Sequence, residues 1–325
     1  MRVVGLIGFA MLFSACLSPS SRYQSYPAGV TEAVVVDRSP ISFGEFGLYS
    51  GFPPISPAHY GDLSYNILPP ERAIAEQTPW DFYIIQYNEP EEFPGEEGLS
   101  LLRQMAENGK RIILRVRLGR WEPHPDVDAM ERSLIALFEH VDPDWVFAIT
   151  LDEENVYWYG WSEALTELYY RAKSRWPDVQ VYQWWSPMEV PRVHRERGWV
   201  ALPADGWIIN LYGKGRDAFE RKLVAALETD RPVIHIAWAS PTWLRWSGAD
   251  AWEPDGLRIL KDQIEVCREY DVPVAFFAAQ PPTYDSMGRR LQGILWAWAA
   301  TDPGVREFFV YLESLVARMA PHAAD

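Results

Sequence analysis

The sequence predicts a single (β/α)8 TIM barrel of the α/β class, and three observations carry that reading. Short apolar segments alternate with amphipathic ones at a regular spacing from about residue 41 to the C-terminus. Eight such apolar segments occur, a number that suits a closed barrel better than an open sheet. No glycine-rich phosphate loop follows any of them, which argues against a nucleotide-binding sheet and leaves the chain with no expected cofactor.

Strands are expected at about 41–49, 80–87, 111–118, 146–154, 179–185, 206–212, 232–239 and 272–280. Between the third and fourth, Val127, Met130, Leu134, Leu137, Phe138 and Val141 recur at intervals of three and four, the period of a helix with one buried face. The same pattern predicts helices near 99–109, 161–176, 216–229 and 255–270, with helical sequence continuing over about 289–319. Between the fifth and sixth strands, 186–205 has the weakest helical pattern. The barrel is assigned to residues 40–325.

Ahead of it, Arg2 is followed by an apolar and small-residue run from Val3 to Ala15, which is too short to cross a bilayer and has the length of a secretory signal core. The run ends in Phe13-Ser14-Ala15-Cys16, which resembles the lipobox of bacterial lipoproteins. That resemblance implies cleavage after residue 15, lipidation of Cys16 and membrane attachment through the lipid alone. Residues 16–39, rich in Ser, Pro and Tyr over 18–29, are then a tether and N-terminal segment. Leu17 after the cysteine resembles lipoproteins sorted to the outer membrane, where the host has one. With Cys16 lipidated, Cys267 is the one cysteine left, so stability must come from a core and not from a disulfide. An apolar content of 48% supplies one.

The formal net charge of −15 argues against nucleic acid and anionic polymers as partners. Neutral ligands fit better, and 16 Trp with 16 Tyr suit a surface that stacks on the C–H faces of sugar rings. Nothing in the sequence indicates an oligomeric state.

Barrel strands alternate between the axis and the helices, and chemistry sits at their C-terminal ends. In the fourth strand Phe147, Ile149 and Leu151 form the bulky set expected to face the helices. Ala148, Thr150, Asp152 and Glu154 then face inward, with two carboxylates at the mouth. In the third strand Arg115 and Arg117 are expected inward by the same argument, and one of them can neutralise Asp152. The sixth places Asn210 and Tyr212 on one side. Glu45, Gln86, Asn88, Gln183, Trp185, His235 and Gln280 are offered as inward or mouth positions, and Trp158 and Trp238 as sugar-stacking surfaces with Tyr49, Tyr87, Trp121, Trp184, Trp185 and Trp243. Glu153 points to the opposite face, where an acid next to a helix N-terminus needs no catalytic role.

On these residues the chain resembles the barrel-type glycoside hydrolases at the level of the superfamily. Asp152-x-Glu154 on the fourth strand is similar to the end of the chitinase-like motif, shared in outline with hyaluronidases and other enzymes that use a substrate acetamido group. The resemblance implies Glu154 as general acid, Asp152 as its helper and Tyr212 as an assisting residue, with Asn210 beside it. The sequence departs from the chitinase pattern at Phe147 and Thr150, where further Asp residues are wanted, and at Gly213, where an acid follows the tyrosine. The other mechanism of such barrels uses a second acid across the mouth. Cellulase-like barrels take it from the seventh strand, but Val233-Ile234-His235-Ile236-Ala237-Trp238-Ala239 contains none. Asn88-Glu89-Pro90 is similar to that clan's acid/base signature, yet it follows the second strand. Glu89 or Glu45 is left as the candidate second acid.

The six histidines show no close ligand spacing, so no metal is expected, and no Gly-x-Ser-x-Gly elbow marks a serine hydrolase. Cys267 lies on an amphipathic helix and reads as packed. Two functions follow. One is a lipoprotein that hydrolyses glycosidic bonds in an oligo- or polysaccharide. The other is a barrel lipoprotein without catalysis that binds glycan or supports an envelope assembly.

Overall fold

A computed structural model of the chain describes residues 36–50, 80–87, 96–116, 125–151, 161–185, 202–211, 214–238 and 255–277, with 283–284, 290–291, 311 and 314. The barrel lies in one compact unit, assigned to 34–325.

Its strands are β1 (Phe46–Ser50), β2 (Trp80–Tyr87), β3 (Arg111–Val116), β4 (Ala148–Thr150), β5 (Gln180–Trp185), β6 (Gly206–Asn210), β7 (Val233–Trp238) and β8 (Val274–Phe277). All are parallel, each bonds to the next, and β8 bonds to β1, so the sheet closes in chain order as a (β/α)8 barrel. Five helices are described between strands: α1 (Glu96–Glu107), α2 (Val127–Phe138), α3 (Ser162–Arg175), α4 (Arg216–Leu227) and α5 (Asp255–Glu269). These match the expected elements in order and type. β1 starts later than expected because Ser42–Glu45 form a turn, with the Glu45 amide donating to the Ser42 carbonyl. The helix expected from 289 is corrected at its start: β9 (Thr283–Tyr284) and β10 (Arg290–Leu291) pair antiparallel, while Tyr311 and Ser314 are helical. A two-residue strand is too short to carry a period, so the pattern there could not tell strand from helix.

Three helix-to-strand turns share one device. Gly109 (φ 70°), Asp230 (φ 56°) and Asp271 (φ 54°) each take the left-handed conformation that ends a helix. After α1 the Gly109 and Lys110 amides close on the Ala106 and Met105 carbonyls, and glycine meets this backbone without strain. Asp271 is retained despite its φ, and its carboxylate accepts from the Phe43 amide at 3.0 Å, which ties the N-terminal segment to the turn into β8.

The closed register sets one parity for all eight strands. Trp207 of β6 donates from Nε1 to Thr229 just past α4, so Trp207 and its register partners Gln183 and Val233 face the helices. The interior is then Gly47 and Tyr49, Phe82 and Ile84, Ile113 and Arg115, Ala148 and Thr150, Tyr182 and Trp184, Ile208 and Asn210, Ile234 and Ile236, and Ala275. Large and small residues alternate across it, as filling a narrow barrel requires. A Cβ on Gly47 would meet the Phe82 ring at 2.1 Å, and one on Gly206 would meet the Tyr182 ring at 2.3 Å. Phe147 is an exception to its expected helix-facing parity. At the entrance of β4 its ring lies 6.1 Å from that of Tyr182 and 5.7 Å from the Arg111 guanidinium, where it helps seal the barrel floor.

The residues before β1 close that N-terminal end. Arg38, counted in the tether by sequence, donates to the carbonyls of Val146, Phe147 (3.0 Å) and Pro143 (3.1 Å). Arg111 binds Asp37 at 2.9 Å and Glu45 at 2.8 Å, and the Asp81 carboxylate accepts from the Phe46 amide at 3.0 Å. Val36, Ile41 and Phe43 are buried with them.

Candidate functional site

At the opposite end, the upper interior is built by alternate strands, which contribute side chains to a common layer in barrels of this kind. Tyr49 from β1, Arg115 from β3 and Trp184 from β5 meet there. Arg115 donates to the Tyr49 hydroxyl, and its guanidinium lies 5.3 Å from the Trp184 ring and 5.9 Å from that of Tyr49. The two rings meet edge to face at 5.3 Å. A buried guanidinium held on two aromatic faces keeps its charge at low solvation cost.

From the even strands, Thr150 and Asn210 are buried beside this layer, Thr150 being paired with both Arg115 and Tyr182 in the sheet. Two polar atoms here, Trp184 Nε1 and Asn210 Oδ1, are buried without a hydrogen-bond partner among the described residues. One is a donor and the other an acceptor. Lower in the barrel the Tyr182 hydroxyl is likewise unpaired, and burial raises its pKa well above the ordinary value for tyrosine.

The sequence-predicted residues divide by place. Arg115 and Asn210 face the interior near the mouth. Gln86 pairs with Arg115 across β2 and β3, and Trp238 pairs with Phe277 across β7 and β8. Trp185 pairs with Ile209 in the sheet register, and Trp184 lies inside the barrel. Glu45 does not join the mouth: it precedes β1 at the N-terminal end, where Arg111 and the Ser42 amide hold its two carboxylate oxygens at 2.8 and 2.9 Å. His235 and Gln183 also leave the interior set. The His235 ring packs on Phe219 of α4, with centroids 4.3 Å apart, and bonds to Gln263 of α5. Ile234 and Ile236 fill the barrel instead. Burial pushes the His235 pKa down to about 3, against the opposing effect of its hydrogen bond to Gln263. Asp152, Glu153, Glu154, Arg117, Trp158, Tyr212, Asn88, Glu89, Gln280 and Cys16 lie outside the described residues.

Sequence reasoning passed over two polar residues next to the site, Lys222 and Gln263, both buried on the inner faces of α4 and α5. The signal was present: Lys222 follows Phe219 by three and precedes Ala226 by four, on the stripe that should be apolar. Gln263 sits likewise between Leu260 and Cys267. Cys267 is buried and its thiol pKa is raised by burial, which removes it from nucleophilic chemistry at neutral pH. Among the described residues no group of three His, Cys, Asp or Glu is placed to hold a metal ion.

No protein-family model matches this chain, and no curated protein does. Among solved structures it is similar to the Parabacteroides merdae beta-glucuronidase, at 10% identity and a TM-score of 0.51, over 77% of this chain and 34% of that one. It is also similar to the Thermobacillus composti GH10 xylanase (14% identity, TM-score 0.49, 76% and 90% of the two chains). A third is the beta-glucosidase from Thermotoga maritima (11% identity, TM-score 0.49, 75% and 86%). The chain spans about a third of the length of the Parabacteroides glucuronidase. These neighbours are glycoside hydrolases, and at such identities what is shared is the fold.

Proposed function

We propose that this chain is an exported lipoprotein whose barrel mouth binds a neutral oligo- or polysaccharide and hydrolyses a glycosidic bond in it. Glu154 is the general acid, Asp152 its anionic helper and Tyr212 an assisting residue. The observation that supports this most is the inward set around the end of β4. Arg115, Thr150, Trp184 and Asn210 line the interior of the strands on either side, and the chain leaves β4 two residues before Asp152. A sugar hydroxyl both donates and accepts, so bound carbohydrate supplies the acceptor that Trp184 Nε1 lacks and the donor that Asn210 Oδ1 lacks. Arg115 adds a fixed positive charge that favours ionised Asp152 over ionised Glu154, which divides the pair into anion and proton donor.

The test is a comparison of Glu154→Gln with Glu153→Gln on an oligosaccharide turned over by the parent, chosen with a poor leaving group so that protonation matters. Glu154→Gln should lower kcat by about 10² to 10⁴ with folding and binding retained, and Glu153→Gln should do little. Equal activities would remove Glu154 from the mechanism.

The second reading, a glycan-binding or envelope-assembly barrel without catalysis, is favoured by one observation: β7, Val233–Trp238, carries no acid. Binding across a glycan panel without turnover would select it. Attachment at Cys16, to the outer membrane where the host has one, is tested separately by Cys16→Ser, which should abolish lipid labelling and release the protein or leave it unprocessed. Unchanged membrane retention in that variant would end the anchor proposal.

A further inference from the structure

The end of β6 is held by side chains that belong to the outer layer. Its ladder to β7 stops at Asn210–Ile236, so the carbonyls that follow have left the sheet while still buried or half-enclosed by α4 and α5. Unpaired, each such carbonyl would cost about 1–3 kcal/mol. Lys222 of α4 reaches under the strand and donates from Nζ to the Asn210 carbonyl at 2.8 Å. Gln263 of α5 donates from Nε2 to the carbonyls of Leu211 at 2.8 Å and Lys214 at 2.9 Å.

With both amide hydrogens used, the Gln263 carbonyl oxygen must face the third member, His235 of β7, whose Nε2 stands 3.1 Å away. That fixes His235 as the Nε2–H tautomer, donating to Gln263, with Nδ1 3.3 Å from the Ile209 carbonyl. All three side chains are at most 4% exposed. A buried ammonium and a buried amide are expensive ways to fill a helix–sheet interface, where an apolar side chain would pack at lower cost. Here they do what an apolar side chain cannot: they fix three backbone carbonyls, those of residues 210, 211 and 214, on both sides of position 212.

We propose that Gln263, oriented by His235 and assisted by Lys222, is a positioning residue for the carbohydrate site, holding the end of β6 so that Asn210 keeps its place in the barrel mouth. The proposal rests on the reading given under Proposed function. None of the three touches ligand; each acts through the backbone that carries Asn210.

The experiment uses the full chain with Gln263→Leu, and measures backbone amide exchange by peptide together with affinity for an oligosaccharide that the parent binds. Exchange in the peptide covering 207–216 should rise about tenfold or more while that covering 111–116 is unchanged. Affinity should fall about tenfold. Leu165→Ala, a core truncation in α3, supplies a variant of lowered Tm that should keep the parent's affinity. If Gln263→Leu does not fold, Lys222→Met is read in the same way. Exchange that rises evenly along the chain, or affinity in Gln263→Leu no lower than in Leu165→Ala, overturns the positioning role and leaves the carbohydrate reading intact. A parent that binds no oligosaccharide overturns both.

Discussion

The two ends of this barrel are finished in different ways. At the N-terminal end the protein supplies its own partners: Arg111 is met by Asp37, Ser39 and Glu45, Arg38 by three carbonyls, and the Asp81 and Asp271 carboxylates by the amides of Phe46 and Phe43. At the C-terminal end Arg115 rests on two aromatic rings, while a buried indole N–H and a buried amide oxygen have no hydrogen-bond partner among the described residues. At the floor most polar groups are met by ion pairs and backbone amides, the Tyr182 hydroxyl being an exception, whereas the unmet groups at the mouth are placed for something outside the chain to complete. The contrast matches the division of labour in such barrels, with stability at the N-terminal face and chemistry at the C-terminal face.

Substitutions at the two ends should therefore separate into effects on folding and effects on binding. The largest expected loss of stability is at the floor. Arg111→Met should destabilise the fold by about 2–3 kcal/mol, because the variant removes a charge-assisted hydrogen bond from the half-buried Glu45 and leaves the Phe147 ring without its cation. Urea unfolding should show the loss as a lower midpoint, while oligosaccharide affinity stays at the parent value. A change in affinity with no change in midpoint would break the comparison.

Next comes the polar contact behind the mouth. His235 has a folded pKa of about 3 and an ordinary unfolded value near 6.5, so between those values the unfolded chain binds the extra proton. Its contribution is fully present above about pH 6.5 and is lost as pH falls towards 3. From pH 6.5 to 4.5 the loss should be roughly 2–3 kcal/mol, read as a falling urea midpoint. The variant His235→Gln should flatten that slope. The depressed carboxylates act in the same direction but lower: Asp37, held at about 2 chiefly by the Ser39 amide, loses its contribution only well below pH 4. A slope over pH 6.5 to 4.5 that survives His235→Gln would assign it to other groups.

The smallest effect on folding is expected at the mouth itself. Trp184→Phe keeps an aromatic ring beside Tyr49 and Arg115 and removes an N–H that has no protein partner, so the urea midpoint should move by less than about 0.5 kcal/mol equivalent. Oligosaccharide affinity should fall about tenfold, the worth of one buried hydrogen bond. Parent-like affinity by calorimetry would show that the unmet groups at this end are not completed by carbohydrate.

Part of this placement is legible in the sequence. The apolar alternation in β3 and β4 placed Arg115 and Thr150 inside correctly because one parity was clearly bulkier than the other. In β5 and β7 large residues stand on both parities, as expected of strands buried on two sides, so the sequence pattern does not single out Trp184 as interior or His235 as helix-facing. Glu45 was misplaced for a related reason: an apolar run does not say where hydrogen bonding to the neighbouring strand begins.

By itself, the sequence determined the number and order of the barrel's eight strands, the helices described between them and the net acidity. Local periodicity and composition carry those properties, and they do not depend on what lies across the barrel. Tertiary structure alone decided which face of β5 and β7 is interior, that residues 36–45 serve as the floor, and that Lys222 and Gln263 reach past their own helices to the end of β6. Each of these depends on the register of a closed eight-stranded sheet, in which the place of one side chain is set by neighbours tens of residues away.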